Sequence, residues 1–559
     1  MNFSNLSQLT LIFKQIKVTK FQIILFLIFY YLVTGISAFL DVFGILMLVS
    51  IFTDNINYLY EQTASIPIIK IIFNLVDFNK EIQDLFLILI LIFSLSFILK
   101  FSLLGFNSWL KAKIRRKLQE RIFKIYLNSN WNTMRDFPVG TALGTNTNEA
   151  NLSVTYISNL ITFGYFLISS IIFSIISLYL DFKTFIFLAI LSFPFLIILK
   201  YIMSYQVQLS IDSADQRNLF SAHITDRLNG LFQILADKNI DYHFKKGIRS
   251  QHKLTSLEIK IGLCAAFIGT FIILIPLSCL IVFYIWFNND LASINITSTA
   301  TIILLGIKLM NQFNGLIGSY GNLVRLAGSL YPVSKVLKFT LDDKRKNITS
   351  KIDNIKIKNL SFQFNDNSIL NNINSKVEKG CILIIKGESG KGKSTLANIV
   401  SGIYLPQSGS IIYEGLKSKE KFDSQTHKIN VGYVTQDIYF FEGSLRENLS
   451  LGQNLMDDKI WNCLKSVDAE KFVIELGGLD VKTTEAGKSL SGGQKRRLGI
   501  ARAILSQSDI LIFDEITNGL DKKNKFQLEK LVNMLCKSHI IIYITHEDTN
   551  FYNQKILQL

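Results

Sequence analysis

The stretch Gly387-Glu-Ser-Gly-Lys-Gly-Lys-Ser-Thr395 follows an apolar run at 381–385 and precedes a helical pattern at 396–400. This order predicts a buried strand, a glycine-rich loop and a helix. The glycines allow backbone N–H groups to approach a chain of phosphates, and the helix N-terminus adds positive potential. Lys393 can then reach the β and γ phosphates, and the Ser394 hydroxyl can hold Mg²⁺. We interpret the stretch as a phosphate-binding loop rather than a chance glycine-rich turn.

A second apolar run, 510–513, ends in the carboxylates Asp514 and Glu515. Asp514 is predicted at the carboxyl end of a strand, facing the Mg²⁺, whereas Glu515 points elsewhere and can polarise an attacking water. Phosphoryl transfer depends on positioning and charge neutralisation, and these two groups supply both. Many strands end in acids, so the pair is informative only together with the loop at 387–395.

A third motif is Leu490-Ser-Gly-Gly-Gln-Lys-Arg-Arg497, in which small residues form a turn before a helical pattern at 498–505. This turn predicts a second helix N-terminus that can bind an anion. Two phosphate-binding elements in one chain suggest that two copies of the domain sandwich a nucleotide between them. The alternative is an ordinary helix cap.

The chain upstream of these motifs is predicted to lie in a membrane. The chain has 559 residues, too many for one ordinary core, and 49% of them are apolar. Six segments fit spans across about 30 Å of hydrocarbon: 21–52, 85–110, 151–180, 184–199 with its continuation past Lys200, 261–287 and 291–324. The predicted fold is therefore an all-α membrane domain of six long helices (1–340), a linker (341–354) and an α/β domain with a phosphate-binding loop (355–559).

The net charge of +16 is explained by topology. The loops after spans one, three and five hold three basic residues against seven acidic ones, whereas the segments after spans two and four are rich in Lys and Arg. The positive-inside rule therefore places both termini and these two segments in the cytoplasm. Nucleic-acid binding is the less favoured explanation of the basic clusters, and no nucleic acid is predicted as a partner.

The two cytoplasmic connections are too long for structureless loops in a compact domain. We expect the membrane helices to continue into the cytoplasm and to turn near 138–148 and 226–238. The outer loop contains an apolar stretch at 67–78 that is too short to span, and it is predicted as a helix on the membrane surface or as an extension of span two.

The motifs at 387–395, 490–494 and 514–515 resemble, in order and spacing, the Walker A, signature and Walker B motifs of an ATP-binding cassette. The resemblance covers the chain from about 355 to its end. It implies that ATP and Mg²⁺ are bound, that Phe364 stacks on adenine, and that Gln436 contacts Mg²⁺ and the water. His546 is implied to contact the γ phosphate. The candidate catalytic residues are thus Glu515, His546 and Gln436, and the candidate Mg²⁺ ligands are Ser394, Gln436 and Asp514.

The resemblance also implies the remaining nucleotide contacts. They are Gly387, Glu388, Ser389, Gly390, Lys391, Gly392, Lys393 and Thr395 in the first motif, Ser491, Gly492, Gly493 and Gln494 in the signature, and Asp521 in the D-loop. Glu485 resembles a residue of the X-loop of exporters. The D-loop departs from the family pattern, because Asn518 and Gly519 stand where Ser-Ala is usual.

Six spans followed by one cassette resemble a half-transporter of the exporter type, which implies a homodimer, with a heterodimer also open. The family works by alternating access, and the turns near 138–148 and 226–238 would dock on the cassettes near Gln436. The composition suggests a bacterial inner membrane protein.

The sequence leaves the substrate open. The segment 37–45 is similar to the first span of flippases for lipid-linked oligosaccharides, so an amphipathic or lipid-linked substrate is expected, with peptide or drug export as the alternative. An ATP-gated channel or regulator and a nucleic-acid-handling ATPase are less favoured. Asp41, an acid within a span, is predicted either to contact a cationic or hydroxyl-rich substrate or to make an interhelical hydrogen bond.

Overall fold

The computed structural model of the chain divides into two compact units. One comprises Met1–Ser129 and Met134–Leu341, and the other comprises Asn130–Thr133 and Asp342–Leu559. The structure describes residues 3–15, 20–53, 82–129, 139–180, 182–287, 296–338, 345–364, 367–415, 420–483, 487, 489–518, 522–549 and 551–559. In these ranges the first unit is helical and the second combines strands with helices.

The described part of the first unit consists of long and short helices. They are α1 Phe3–Gln15, α2 Lys20–Phe52, α3 Ile82–Asn128, α4 Val139–Gly144, α5 Ala150–Leu180, α6 Phe182–Asn229, α7 Leu231–Ala236, α8 Ile240–Phe287, α9 Ile296–Leu326 and α10 Leu330–Leu337. A π-helical turn, Thr145–Glu149, joins α4 to α5, and a 3-10 turn, Ala327–Ser329, joins α9 to α10.

Three of these helices are much longer than a membrane is thick. Helix α3 has 47 residues, and α6 and α8 have 48 each. At 1.5 Å per residue each measures about 70 Å, more than twice the hydrocarbon thickness. This length agrees with the prediction that membrane helices continue beyond the bilayer. The short helices α4 and α7 lie where the two turns were predicted.

Three segments in the described residues are long and apolar enough to cross a membrane: Ile24–Phe52, Asp84–Asn128 and Gly140–Tyr179. They overlap the first three predicted spans, 21–52, 85–110 and 151–180. The fourth and fifth predicted spans fall in α6 and α8, and the described part of the sixth, 296–324, falls in α9. Many side chains of these three segments lie outside the described residues. Six spans therefore remain a prediction, and the predicted surface segment 67–78 also lies outside the described part.

The second unit contains a parallel sheet and an antiparallel sheet. The strands are β1 Lys346–Asn347, β2 Asn354–Phe364, β3 Asn367–Glu378, β4 Ile382–Lys386, β5 Ser408–Gly415, β6 Glu420–Asp423, β7 His427–Lys428, β8 Val431–Val434, β9 Gly443–Ser444, β10 Lys482–Thr483, β11 Ile510–Asp514, β12 Ile540–Ile544 and β13 Gln554–Gln558. The parallel sheet has the order β13-β4-β12-β11-β8, and the antiparallel sheet has the order β3-β2-β5-β6.

Helices cover the parallel sheet on both faces. They are α11 Lys393–Val400, α12 Leu445–Ser450, α13 Asp457–Ser466, α14 Glu470–Glu475, α15 Gly492–Leu505 and α16 Lys522–Cys536. Successive residues of β11 point to opposite faces: Ile510 and Ile512 pack in one apolar core, and Leu511 and Phe513 in another. Because both faces are buried, the strand is a continuous apolar run, as is typical of parallel strands in α/β domains.

Candidate functional site

The glycine loop, Asp514, Glu515 and His546 gather at one edge of the parallel sheet. In the strand register Ile544 pairs with Ile385, Asp514 with Ile544, and Phe513 with Val434. Parallel strands that end in register place the segments that follow them at a common edge, where α/β domains bind ligands. The loop after β4, the acids at the end of β11 and the histidine after β12 therefore lie on the same side of the sheet, as does the segment after β8.

The loop between β4 and α11 depends on two glycines in the left-handed region. Gly390 has a φ of +84° and Gly392 a φ of +91°. A Cβ atom on Gly392 would lie 2.7 Å from Cγ2 of Ile369, so any side chain there would clash as well as strain the backbone. Gly392 is also the N-cap of α11, which turns the chain directly into the helix.

Lys393 lies along the inner side of this loop. Its side chain is buried, and Nζ donates hydrogen bonds to the carbonyl oxygens of Gly387 at 2.8 Å and Glu388 at 3.0 Å. The tip of the loop, 388–391, is exposed. A cation held behind an open rim of backbone amides is suited to an anionic ligand that approaches from solvent.

Asp514 is a nearly buried carboxylate, with only 5% of its surface exposed. Burial raises the pKa of Asp514, and the charge of Glu515 acts in the same direction. The Ser394 and Tyr433 hydroxyls and the charge of Lys393 oppose the shift. The hydroxyl of Tyr433 donates to Oδ2 of Asp514 over 3.4 Å. Burial and the neighbouring carboxylate together raise the pKa of Tyr433, so it remains a donor.

The surroundings of Asp514 fit a divalent cation of the Mg²⁺ type. The carboxylate and the Ser394 hydroxyl are adjacent oxygen ligands, the kind that hard cations prefer. In the described part of the chain no salt bridge within 4.0 Å neutralises this buried acid. A bound cation would remove the cost of burying an unpaired charge.

Glu515 adopts an uncommon backbone conformation, with a φ of +50°. Its N–H donates to the carbonyl oxygen of Ile544 at 3.1 Å, which ties the residue to the end of β12. The Asn518 side chain donates from Nδ2 to Oε2 of Glu515 at 2.7 Å, and Nδ1 of His546 lies 3.9 Å from Oε1. One carboxylate oxygen of Glu515 is therefore held by Asn518, and the other faces the imidazole of His546 beyond hydrogen-bond distance.

The signature segment forms a helix cap in this single chain. The Ser491 hydroxyl accepts from the Gln494 N–H at 3.3 Å, and the Ser491 N–H donates to Oε1 of Gln494 at 2.9 Å. A Cβ atom on Gly492 or Gly493 would meet no heavy atom of the described residues within 4 Å. No hydrogen bond joins the described residues of this segment to the loop at 387–395.

The remaining predicted residues differ in how the structure describes them. Phe364 lies at the end of β2, edge-on to Phe362 with ring centroids 5.0 Å apart and to Tyr404 at 5.5 Å. Gln436 is exposed two residues after β8. Asp521 and Glu485 lie outside the described residues.

Two contacts at the site were not predicted. Tyr433 lies on β8, and its partner Asp514 lies far away in the chain. The alternation of side chains along β8 indicates which face of the sheet Tyr433 occupies, but it does not identify this partner. Asn518 departs from the family pattern, but the sequence does not predict its hydrogen bond to Glu515, whose backbone is in the left-handed region.

Comparisons with known proteins find a family match within the second unit. A family model described as ABC transporter matches residues 370–518. The chain is 33% identical over 213 residues to ABC transporter B family member 1 of Dictyostelium discoideum. It is 32% identical over 201 residues to an ATP-dependent lipid A-core flippase of Francisella tularensis subsp. holarctica. It is 37% identical over 196 residues to a putative multidrug export ATP-binding/permease protein of Staphylococcus aureus.

These matches cover only part of each protein. They take in 37%, 35% and 34% of this chain and 23%, 33% and 34% of the three relatives, respectively. The family match includes the glycine loop, the signature segment and the Asp514–Glu515 pair. Within residues 370–518 the chain therefore carries an ATP-binding domain of the ABC transporter type.

Proposed function

We propose that the protein is an ATP-driven exporter or flippase that works as a dimer by alternating access. The observation that carries this proposal is the single sheet edge that joins the glycine loop, Asp514, Glu515 and His546. The same chain has apolar helices long enough to cross a bilayer and to extend beyond it. We further propose six spans, both termini in the cytoplasm, and a bacterial inner membrane location.

We propose a task for each group around the triphosphate of ATP. The loop amides and Lys393 bind the phosphates, and the Ser394 hydroxyl and Asp514 would hold Mg²⁺. The cation, when bound with ATP, neutralises charge on the transferred phosphoryl group. Glu515 takes the position of the base that orients and polarises water, and His546 lies on the other side of this acid. Gln436 and Phe364 are proposed to contact the water and the adenine, respectively.

A second copy of the chain is proposed to complete the site. The open face of the signature helix at 491–494 makes no hydrogen bond to the glycine loop of its own chain in the described part. Pairing two chains head to tail would give each ATP a loop from one copy and a signature from the other, and the symmetric pair would have two such sites. Closure on ATP and opening after hydrolysis would then alternate the access of the membrane path.

The proposed substrate is amphipathic or lipid-linked, such as a lipid-linked oligosaccharide. The similarity to a lipid A-core flippase supports this class, and the similarity to a multidrug exporter keeps export of a drug or peptide as the second candidate. An ATP-gated channel is a weaker candidate, because Glu515 and His546 are both present for hydrolysis.

The shared site is tested by placing two substitutions in different copies. Lys393→Ala removes the phosphate-binding cation, and Ser491→Arg blocks the signature. A purified heterodimer with one substitution in each chain keeps one intact shared site, so we expect about half of the wild-type ATPase rate. The measurement is phosphate release by full-length protein in nanodiscs, with two affinity tags to select the heterodimer.

The matched control carries both substitutions in one chain, paired with a wild-type chain. Shared sites would then both be damaged, and hydrolysis should be near background. If each chain instead formed its own complete site, this control would be active and the first heterodimer inactive. That reversed result would refute the shared site and the dimeric mechanism.

Asn518 is predicted to position Glu515. Replacing it by Ala removes a hydrogen bond to a charged group, which is worth about 1.5–3 kcal/mol. We expect Asn518→Ala to lower kcat about tenfold with little change in KM for ATP, since the phosphates are bound elsewhere. Asn518→Asp should be slower still, because two carboxylates would then face each other.

The split between kcat and KM separates this role from a general structural one. Gln453→Ala, at an exposed amide remote from the sheet edge, serves as the control and should leave both constants unchanged. Equal kcat values for Asn518→Ala and wild type would show that the Asn518 bond does not position the acid.

A further inference from the structure

Three charged side chains meet within the apolar part of the first unit. Asp41 on α2 is buried, and the Ser96 hydroxyl on α3 donates to its Oδ1 at 2.6 Å. Lys100, one turn further along α3, donates to Oδ2. Lys308 on α9 places Nζ 3.8 Å from the same Oδ2 atom. Of the two roles predicted for Asp41, the structure therefore shows the interhelical hydrogen bond.

The charges in this cluster do not balance. One carboxylate faces two ammonium groups, and its two oxygens accept hydrogen bonds from Ser96 and Lys100. Lys308 is too far from Oδ2 for a normal hydrogen bond, and no other acceptor for its Nζ is found among the described residues. Within the described part of the chain, this cluster therefore carries one positive charge in excess.

The position of this charge makes it costly. Asp41 and Lys100 lie inside the segments Ile24–Phe52 and Asp84–Asn128, and Lys308 lies inside the span predicted at 291–324. Ionisable side chains at such depth face a bundle interior or a water-filled path and mark substrate or ion pathways. The lysines are the accessible members, since their side chains are 30% and 39% exposed, against 4% for Asp41. A ligand reaching the cluster would meet positive charge.

The surroundings indicate an amphiphile. On α3, Lys100 lies between a buried side, with Ser96 and Leu103, and an exposed apolar side, with Phe97 and Phe101. An anionic group at the lysines would thus have apolar surface beside it for a hydrocarbon chain. Lysine ammonium groups bind phosphates as point charges.

We propose that Lys308 and Lys100 bind the phosphate group of a lipid-like substrate, with Asp41 serving as the internal counter-ion that the phosphate displaces. This inference rests on the proposed transport function and names the class of its substrate. The proposed substrate group is negatively charged, whereas a substrate that bound directly to Asp41 was predicted to be cationic or hydroxyl-rich.

The test measures binding of dioctanoyl phosphatidic acid to the full chain in phosphatidylcholine nanodiscs without nucleotide. Dioctanoylglycerol, which has the same acyl chains and no phosphate, is the reference ligand. We expect Lys308→Met to weaken phosphatidic acid binding at least about tenfold and Lys308→Arg to keep most of it. Lys124→Met, an exposed lysine outside the cluster on the same helix as Lys100, should bind like wild type.

Asp41→Asn gives an independent arm that remains available if Lys308→Met does not fold. Loss of the competing carboxylate should tighten binding of phosphatidic acid. Unchanged binding in Lys308→Met would overturn the proposal, and so would weaker binding in Asp41→Asn, since the acid rather than the lysines would then recognise the ligand.

Two competing ligands distinguish a lipid phosphate from other anions. Inorganic phosphate should not displace the lipid at equal concentration, because it lacks the apolar part, and displacement would overturn the lipid assignment in favour of a free anion. Tighter binding of an acidic octapeptide with the same dependence on Lys308 would overturn it in favour of a peptide. All these measurements omit ATP, so a failure of the shared ATP site would show in the heterodimer experiment and leave them unaffected.

Discussion

Glu515→Gln is expected to lower the ATPase rate by at least about a hundredfold while ATP binding is retained. The substitution keeps the size of the side chain and an oxygen that can accept from Asn518 at the 2.7 Å contact. It removes the negative charge that we propose polarises the water. The glycine loop and Lys393 are untouched, so the variant should bind ATP and accumulate in the ATP-bound state, which in the proposed mechanism is the closed dimer.

The measurement compares phosphate release with binding of radiolabelled ATP under the same conditions. Glu475→Gln, an exposed glutamate on α14, is the matched control and should behave like wild type. If Glu515→Gln hydrolyses ATP as fast as the parent, Glu515 is not the base and the assignment of the site must change.

Asp514→Asn is expected to change activity and stability in opposite directions. ATP hydrolysis with Mg²⁺ should fall about a hundredfold or more, because an amide is a poor ligand for a hard cation. The melting temperature of the nucleotide-free protein should rise, because the buried charge is removed. Functional groups at catalytic sites commonly lower the stability of the folded protein.

The pH dependence tests the cause of this gain in stability. Burial raises the pKa of Asp514 in the folded protein above its unfolded value of 3.8. The contribution of Asp514 to the free energy of unfolding is therefore fully present below its pKa in the unfolded chain. It is lost as the pH rises through the pKa of Asp514 in the folded protein. Wild type and Asp514→Asn should melt at similar temperatures near pH 4 and should separate toward neutral pH.

Ligand addition gives a second readout for the same variant. Mg²⁺ and ATP should raise the melting temperature of wild type much more than that of Asp514→Asn, since ligands that bind only the folded state stabilise it. Asp458→Asn, at an exposed position of α13, is the control. A lower melting temperature for nucleotide-free Asp514→Asn would contradict the inferred cost of the buried carboxylate.

The local motifs can be predicted from the sequence because the residues that form each of them are consecutive in the chain. The strand, glycine loop and helix around Lys393 are consecutive, so the residues that build the phosphate site are neighbours before folding. The long helices were likewise readable from the length of their apolar segments and the scarcity of Gly and Pro between them. The number of spans stays a prediction, since much of α6, α8 and α9 has side chains outside the described residues.

The amino-acid sequence alone determined that a phosphate-binding α/β domain follows an apolar helical region, since loop conformation and burial pattern depend on near neighbours. Only the tertiary structure decided which polar and charged side chains meet. Tyr433 reaches Asp514 across adjacent strands, and Lys100 and Lys308 reach Asp41 from two other helices. Such contacts depend on the packing of elements that are distant in the chain, and they determine the sign of the charge that a ligand encounters.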